Sequence, residues 1–480
     1  MSLENRNNNV LVIMMVMLGI WLRLYDLGGD SLWHDEAFTW YFTRMPWVEM
    51  LDTVRLDGVN PPIYYMATKV LVDLFGDSER VLRGISALAG IAAMWGAWLV
   101  GREAGGREGG SIGLAVIAFH PMAVHYSRDA RPYSLVLALG MFLIYAYLRL
   151  RKQESKRMWW AAWALLLFGQ MSHYFFFVLG GTILLAALLE LRERPLLFRK
   201  WALIWLGAFI PLGGWLWWYF SQPTPSLGIG WIEMPPLSGL LRTVWNLFSG
   251  FGGDAFAATF LFGSLTALLA ATGLVLGKDR KRHQKEWLVW LVVPIIGVWV
   301  VSLRRPVYMD RYFIVFLPAI VYLVSAGGAS AFGHWRDRGW KRAVDATLML
   351  LILVGMWAGW GVHSTVTYSR EDWRGLVKNL NENKGEGEAI WLSEPEASFP
   401  MQYYLRGDLG EASSSDELLY CQLPCWWVMR MPFTRTHAFS QSVGFDKWAV
   451  NLPDKCILLD RWVSESGLRL WKVQCGEAGE

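Results

Sequence analysis

Leu32-Trp33-His34-Asp35-Glu36-Ala37 decides how this chain is read. Two adjacent carboxylates stand just past the first long apolar run of a sequence built largely from such runs. Ionisable groups at the edge of a hydrocarbon layer are costly to keep and are usually functional. A carboxylate placed there can take the proton of a hydroxyl group.

The surrounding composition supports a membrane setting. Of 480 residues, 54% are hydrophobic and only 18% are charged, which is too apolar for one soluble domain of this length. The 30 Trp suit the two interfacial belts of a membrane protein. A net charge of +4 is small, so no nucleic-acid partner is expected. The polar tail Met1–Asn9 leads into a run from Val10 without an A-x-A-like cleavage site, which reads as an uncleaved first helix.

Apolar runs of about 17–22 residues, each long enough to span a bilayer as a helix, recur along the chain. They lie near 10–27, 81–100, 110–127, 132–149, 158–172, 174–190, 201–220, 255–276, 287–303, 312–331 and 343–361. The fifth and sixth are interrupted only by Ser172-His173-Tyr174 and could form one long tilted helix. With eleven spans, Arg102, Arg149, Arg151, Lys152, Arg199, Lys281 and Arg336 fall on one side. The positive-inside rule makes that side cytoplasmic, so the N-terminus is inside and the C-terminus outside a plasma membrane.

The opposite side collects other residues. It holds a first outer loop over 28–80, with interfacial helices expected at 36–52 and 61–75, the second started by Asn60-Pro61-Pro62. It also holds Arg128-Asp129-Ala130-Arg131-Pro132-Tyr133, then His173-Tyr174, and Arg304-Arg305 with Asp310-Arg311. Arginines near helix ends often only snorkel, but three loops converging on one face suggest an anion clamp.

The membrane region is expected over 1–362. From about Thr365 charge, Ser and Gly rise, and a small mixed α/β domain is expected over 363–480. All four Cys lie in it. An even number in one segment suggests disulfides in an oxidising compartment, with buried thiols as the alternative and zinc spacing absent. If Ser464–Gly467 closes a hairpin, Val463 faces Leu468 and Cys456 falls opposite Cys475. Cys421 is then left for Cys425.

The chemical expectations rest on these clusters. Asp35 and Glu36 diverge as neighbours, so one can face a reaction while the other orients it or a metal. Asp129 is a second acid, flanked by Arg128 and Arg131, whose planar guanidinium forks suit phosphate. Arg304, Arg305 and Arg311 form a third cluster for an anionic headgroup. Each cluster also admits a plain reading: a solvated acidic pair, a charge-paired turn, or lipid-facing snorkelling. His125 and His173 can bind substrate or metal, although a lone His near a helix end is more often simply hydrogen-bonded. No P-loop or G-x-G-x-x-G stands in a useful context, so no nucleotide cofactor is expected.

In this order the pieces resemble the polytopic GT-C glycosyltransferases. The resemblance runs through Leu32–Ala37, Asn60-Pro61-Pro62-Ile63-Tyr64-Tyr65, and Phe75–Arg80 with Arg83. It continues through Pro121–Ser134, His173-Tyr174, Asp310-Arg311-Tyr312 with Pro318, and Tyr368–Arg374. The chain looks most like the bacterial and archaeal relatives of dolichyl-phosphate-mannose protein mannosyltransferases, a group that includes lipid A aminoarabinose transferases and Rgt-type galacturonosyltransferases.

That resemblance implies a GT-C fold of about eleven transmembrane helices and a small extracytoplasmic domain. It implies inverting transfer of a sugar from a polyprenyl-phosphate donor to a hydroxyl on a lipid, glycan or protein acceptor. The catalytic acid falls at Asp35, with Asp129 lining the same cavity and Glu36 assisting. Arg128, Arg131, Tyr133, His173, Arg304, Arg305 and Arg311 become candidate substrate contacts. Asp129 stands where many relatives carry Glu, and Asn60 where many carry His. The fold also allows a divalent cation, for which Glu36 and Asp129 are the candidate ligands. A polyprenyl-lipid transporter without covalent chemistry would use the same arginines but would not need Asp35 beside an acceptor. A structural membrane subunit with a disulfide-bonded interaction domain would need neither.

Overall fold

The apolar runs fold as helices in the computed structural model. It describes residues 3–223, 232–251, 256–276, 285, 288–338, 341–364, 371–385, 387–392, 397–405, 424–430, 456–464 and 468–475. α1 (Leu3–Leu24) is followed by four short helices: α2 (His34–Thr43), α3 (Trp47–Asp57), α4 (Ile63–Phe75) and α5 (Glu79–Leu82). The sequence reading expected one helix over 36–52. Pro46 instead stands at the N-cap of α3, where its lack of an N–H does no harm, and divides that stretch in two.

α6 (Gly84–Phe119) is two arms joined at Gly105-Gly106. Gly106 has φ +64°, in the left-handed region that glycine alone takes cheaply. In a straight helix Gly101 and Gly109 would be about 12 Å apart. Here a Cβ on Gly101 would lie 2.2 Å from the Gly109 carbonyl oxygen, so the arms double back on each other. These arms are the expected second and third spans. The second arm ends at His120 and leads into α7 (Pro121–Ser127).

α8 (Tyr133–Lys152), α9 (Lys156–Gln170), α10 (Phe175–Leu188) and α11 (Pro195–Phe220) come next. The fifth and sixth runs are thus two helices. They turn at 171–174, and the Phe176 ring packs onto Gly169. α12 (Ser238–Ser249) and α13 (Phe256–Leu276) precede a π turn, Leu288–Val292, that opens α14 (Val293–Ser302). A 3₁₀ segment, Asp310–Phe316, opens α15 (Leu317–Asp337), and α16 (Lys341–Ser364) closes the bundle.

Each of the eleven expected spans contains helix. Among the described residues, six helices are long and apolar enough to cross a membrane, Gly84–Phe119 being one of them. Shorter apolar helices occupy Asn9–Leu24, Phe175–Leu188 and Val289–Ser302. The chain is therefore a multi-pass membrane protein. The Asp310–Arg336 window is the most enclosed of the six, and it carries Arg311 at its entrance.

The C-terminal domain contains α17 (Trp373–Asn383), β1 (Ile390–Leu392), α18 (Ser398–Leu405), β2 (Cys425–Arg430), β3 (Cys456–Val463) and β4 (Leu468–Cys475). Its sheet has the order β1-β2-β4-β3, with β1 parallel to β2 and the other pairs antiparallel. Trp373, Leu376, Trp426, Val428 and Leu470 form its buried centre.

The β3–β4 register repeats the expected cysteine pairing by a different route. Val463 faces Arg469 rather than Leu468, so the turn is one residue longer than counted. A bulge between Leu458 and Asp460 absorbs the extra residue, and Cys456 still faces Cys475. Cross-strand Cα atoms lie about 4.5–5.5 Å apart, within disulfide reach. Non-reducing peptide mapping is expected to link Cys456 to Cys475, and a Cys421–Cys475 link would contradict this. Cys425 opens β2 and is buried, while its expected partner Cys421 lies outside the described residues.

Candidate functional site

Asp35 and Glu36 fall in the first turn of α2, where the helix's unpaired N–H groups favour anions. From there the two diverge. Glu36 is fully buried. Its two oxygens accept from Arg83 Nε and Nη2 at 2.8 and 2.7 Å, a bidentate ion pair. Glu36 Oε1 also accepts from the Ala130 N–H at 2.8 Å, and Oε2 from the Trp33 N–H at 3.4 Å.

The rest of the Arg83 guanidinium holds the loop before α2. Nη1 donates to the Leu27 and Asp30 carbonyls at 2.8 and 3.1 Å, and Nη2 to Ser31 at 2.9 Å. All five of its N–H groups are thereby used. Glu36 and Arg83 fasten the 27–36 loop to the 129–131 turn and set the direction in which Asp35 leaves α2.

Asp35 keeps some access to solvent, with its side chain 20% exposed. Its Oδ2 lies 3.5 Å from Arg311 Nη1 and 4.0 Å from Arg131 Nε. Both distances exceed the usual hydrogen-bond range of about 2.7–3.2 Å. Two guanidiniums thus face one carboxylate. Arg131 Nη1 also donates to the Asp35 carbonyl at 3.3 Å. Burial acts to lower the Arg131 pKa, but Tyr65 and Asp35 outweigh it, so Arg131 stays a firm cation.

Asp129 is buried in the same turn, and the Trp33 indole Nε1 donates to its Oδ1 at 2.8 Å. Both acids of the sequence reading thus meet at one place. Of the two candidate metal ligands, Glu36 is engaged by Arg83 through both oxygens and Asp129 by Trp33 through Oδ1. Among the described residues no group of three or more His, Cys, Asp or Glu side chains is suited to a metal ion.

The expected arginines separate into those at the site and those elsewhere. Arg128 turns away to the carbonyls of Tyr25 and Asp26 and clamps the end of α1. Arg304 and Arg305 are exposed at the C-terminal end of α14, where their N–H groups bond back to Val301. Arg311 follows Asp310 in sequence, but the two do not pair with each other in the fold. Asp310 instead accepts from Arg242 Nε at 2.8 Å, Thr243 Oγ1 at 2.6 Å and Asn246 Nδ2 at 3.1 Å, all on α12. That network bolts the 3₁₀ segment to α12 and leaves Arg311 for Asp35.

Tyr133 and His173 do join the site. Their rings are 5.6 Å apart, and Tyr312 lies 6.3 Å from Tyr133 and 5.2 Å from His173. Burial, then Arg131 and Arg311, push the His173 pKa down to about 3. The ring is neutral at physiological pH. Its Nδ1 accepts from the Phe175 N–H at 3.2 Å, so Nε2 carries the proton. His173 is an aromatic wall and a neutral donor, not a cation for phosphate.

The C-terminal domain docks on the loop that carries Asp35. Tyr404 accepts from the Leu32 N–H at 2.7 Å, and Glu371 from the His34 N–H at 3.3 Å. Arg374 reaches the Gly29 carbonyl at 2.9 Å and Glu79 at 2.8 Å. The Phe399 ring packs 4.4 Å from that of Phe38.

A sequence profile for dolichyl-phosphate-mannose-protein mannosyltransferase matches residues 59–218. No curated protein sequence matches significantly. The crystal structure of ArnT from Cupriavidus metallidurans in the apo state superimposes with a TM-score of 0.59 at 13% identity, over 96% of this chain and 97% of that one. The same protein bound to undecaprenyl phosphate gives 0.58 at 14% identity, with the same coverage. The chain therefore has the GT-C fold along nearly its whole length, and the resemblance carried by its motifs is borne out.

Proposed function

We propose that this protein is an inverting glycosyltransferase that moves a sugar from a polyprenyl-phosphate donor to an acceptor hydroxyl on the outer face of the plasma membrane. One observation carries the reading: Asp35 Oδ2 faces two guanidiniums at once, Arg311 Nη1 at 3.5 Å and Arg131 Nε at 4.0 Å. The fold shared with ArnT, which was crystallised with undecaprenyl phosphate, supports a polyprenyl lipid as donor. The acceptor class is a lipid, glycan or protein.

In this reading the acceptor hydroxyl gives its proton to the Asp35 carboxylate as its oxygen bonds to the anomeric carbon. The bond from that carbon to the phosphate oxygen breaks, and polyprenyl phosphate leaves with one more negative charge. Arg131 and Arg311 are already oriented toward the place where that charge develops. A single displacement inverts the anomeric configuration. Asp129 and Trp33 hold the Asp35 loop, and the Tyr133, His173 and Tyr312 rings limit water access.

Arg311→Ala is expected to weaken binding of polyprenyl phosphate by about 10- to 100-fold, the scale of a charged hydrogen bond. Arg305→Ala, at an exposed position, should leave it nearly unchanged. Equal losses in the two variants, measured with the purified protein in nanodiscs, would move the phosphate to the surface cluster. For orientation, a cysteine placed at Lys281, which lies outside the described residues, should resist an impermeant reagent applied from outside. Labelling there would reverse the proposed face.

A further inference from the structure

α3 ends at Asp57, and the chain turns through Gly58 with φ +66° toward Asn60. This turn carries a group of polar atoms that the mechanism above does not use. Asn60 is 2% exposed, and its Oδ1 has no hydrogen-bond partner among the described residues. Its Nδ2 reaches the Tyr65 hydroxyl only at 3.5 Å. Tyr219, from the end of α11, is 1% exposed, and its hydroxyl also has no partner among the described residues. The Tyr219 ring lies directly against the turn: a Cβ on Gly58 would stand 2.5 Å from its Cε2 and 3.2 Å from its hydroxyl oxygen.

The same group adjoins the reaction centre. Arg131 Nη1 shares the Tyr65 hydroxyl with Asn60 at 3.5 Å, while Arg131 Nε lies 4.0 Å from Asp35 and makes no hydrogen bond. Asp57 accepts from the Val59 N–H at 3.3 Å and is close enough to feel both Arg131 and Asp35. Burial holds its carboxyl above the usual range, Arg131 opposing and Asp35 adding to the effect. Buried polar atoms are nearly always paired in native proteins. Here, among the described residues, an amide oxygen and a phenol hydroxyl lack partners near a half-buried carboxylate. Amide and carboxylate oxygens accept hydrogen bonds, a phenol hydroxyl does both, and sugar hydroxyls supply both.

We propose that Asp57, Asn60 and Tyr219 form the subsite that binds the hydroxyl groups of the transferred sugar beside Asp35, and that the Asp57 charge excludes sugars bearing a carboxylate. This rests on the glycosyl-transfer reading and narrows its donor to neutral or amino sugars. An ionised carboxylate can take two hydroxyl donors, or an ammonium group, at once. It repels a uronate at the same position.

Binding separates this subsite from the transfer reaction. The full-length protein in nanodiscs would be titrated with undecaprenyl phosphate alone, with a panel carrying neutral hexoses, and with the matching hexuronates. The parent is expected to bind at least one hexose-bearing lipid more tightly than the sugar-free lipid, and its uronate counterpart more weakly than that hexose. Tyr219→Phe should lose about 3- to 10-fold on the hexose-bearing lipid and nothing on the sugar-free one. Asp57→Asn should lose about 10- to 100-fold and narrow the gap between hexose and uronate. Thermal unfolding of unliganded Tyr219→Phe should stay at or above the parent value, because the lost hydroxyl has no partner among the described residues.

A parent that binds every hexose-bearing lipid no better than the sugar-free one overturns the subsite, and ordered water is then its only occupant. Equal losses on both lipids in Tyr219→Phe and Asp57→Asn also overturn it. If the binding preference is present and no sugar is transferred, the subsite stands and the transfer reading fails.

Discussion

Asp35→Asn is expected to fold, insert and bind donor lipid, and to lose transfer by about 10²- to 10⁴-fold, the usual contribution of a general base. The substitution keeps the side chain's shape and removes its basicity. It also removes the anion that Arg131 and Arg311 face at 4.0 and 3.5 Å. Both guanidiniums then lose their internal competitor for phosphate. Donor KM should therefore stay level or fall while kcat collapses, a split that a damaged fold would not give. Initial rates across donor concentrations, with the parent and variant matched by size-exclusion profile, measure it. Transfer by Asp35→Asn at the parent rate would remove Asp35 from the role of base.

The second large effect is on stability. Glu36 and Arg83 are 0% and 1% exposed and bind each other through two hydrogen bonds. Removing one partner of a buried ion pair typically costs about 3–5 kcal/mol, because the other charge stays behind. Glu36→Ala strands the Arg83 guanidinium and also frees the Ala130 N–H. Arg83→Ala strands the Glu36 carboxylate and releases three carbonyls, those of Leu27, Asp30 and Ser31. Each variant should unfold well below the parent temperature in detergent. Glu36→Gln with Arg83→Met removes both charges together and should recover much of the loss, a coupling that a double-mutant cycle reads directly. Single variants that melt with the parent would show that this pair does not hold the loop.

Several features of the fold and site were legible in the sequence because they are local. The run from Trp33 to Glu36 pairs two acids with a helix start, and α2 begins at His34. Span positions follow from apolar run length alone. The hairpin count reached the Cys456–Cys475 pairing, although through a turn one residue too short, because a bulge cannot be seen in the alternation of side chains. Other features were hidden for reasons of geometry. Asp310 and Arg311 are neighbours in sequence, but consecutive side chains on a 3₁₀ segment point about 120° apart. One therefore faces α12 and the other faces Asp35. Arg128 and Arg131 flank the same acid, and the turn between them sends Arg128 to α1 and Arg131 to the site.

The partner of Glu36 was hidden for a related reason. Arg83 stood among the motif residues without a role, since nothing local says that a residue 47 positions away closes onto Glu36. Asp57 carried no signal either. It reads as an ordinary helix-end acid until the fold brings it close enough to feel the charges of Arg131 and Asp35.

The central claim is bond breaking at the sugar–phosphate linkage. The most direct measurement follows polyprenyl phosphate carrying a radiolabelled sugar, incubated with the purified protein in proteoliposomes and a membrane extract as acceptor source. The parent is expected to release sugar-free polyprenyl phosphate and pass the label to an acceptor, and Asp35→Asn to do neither. A parent that moves the lipid across the bilayer and leaves every labelled sugar on its phosphate would contradict the claim.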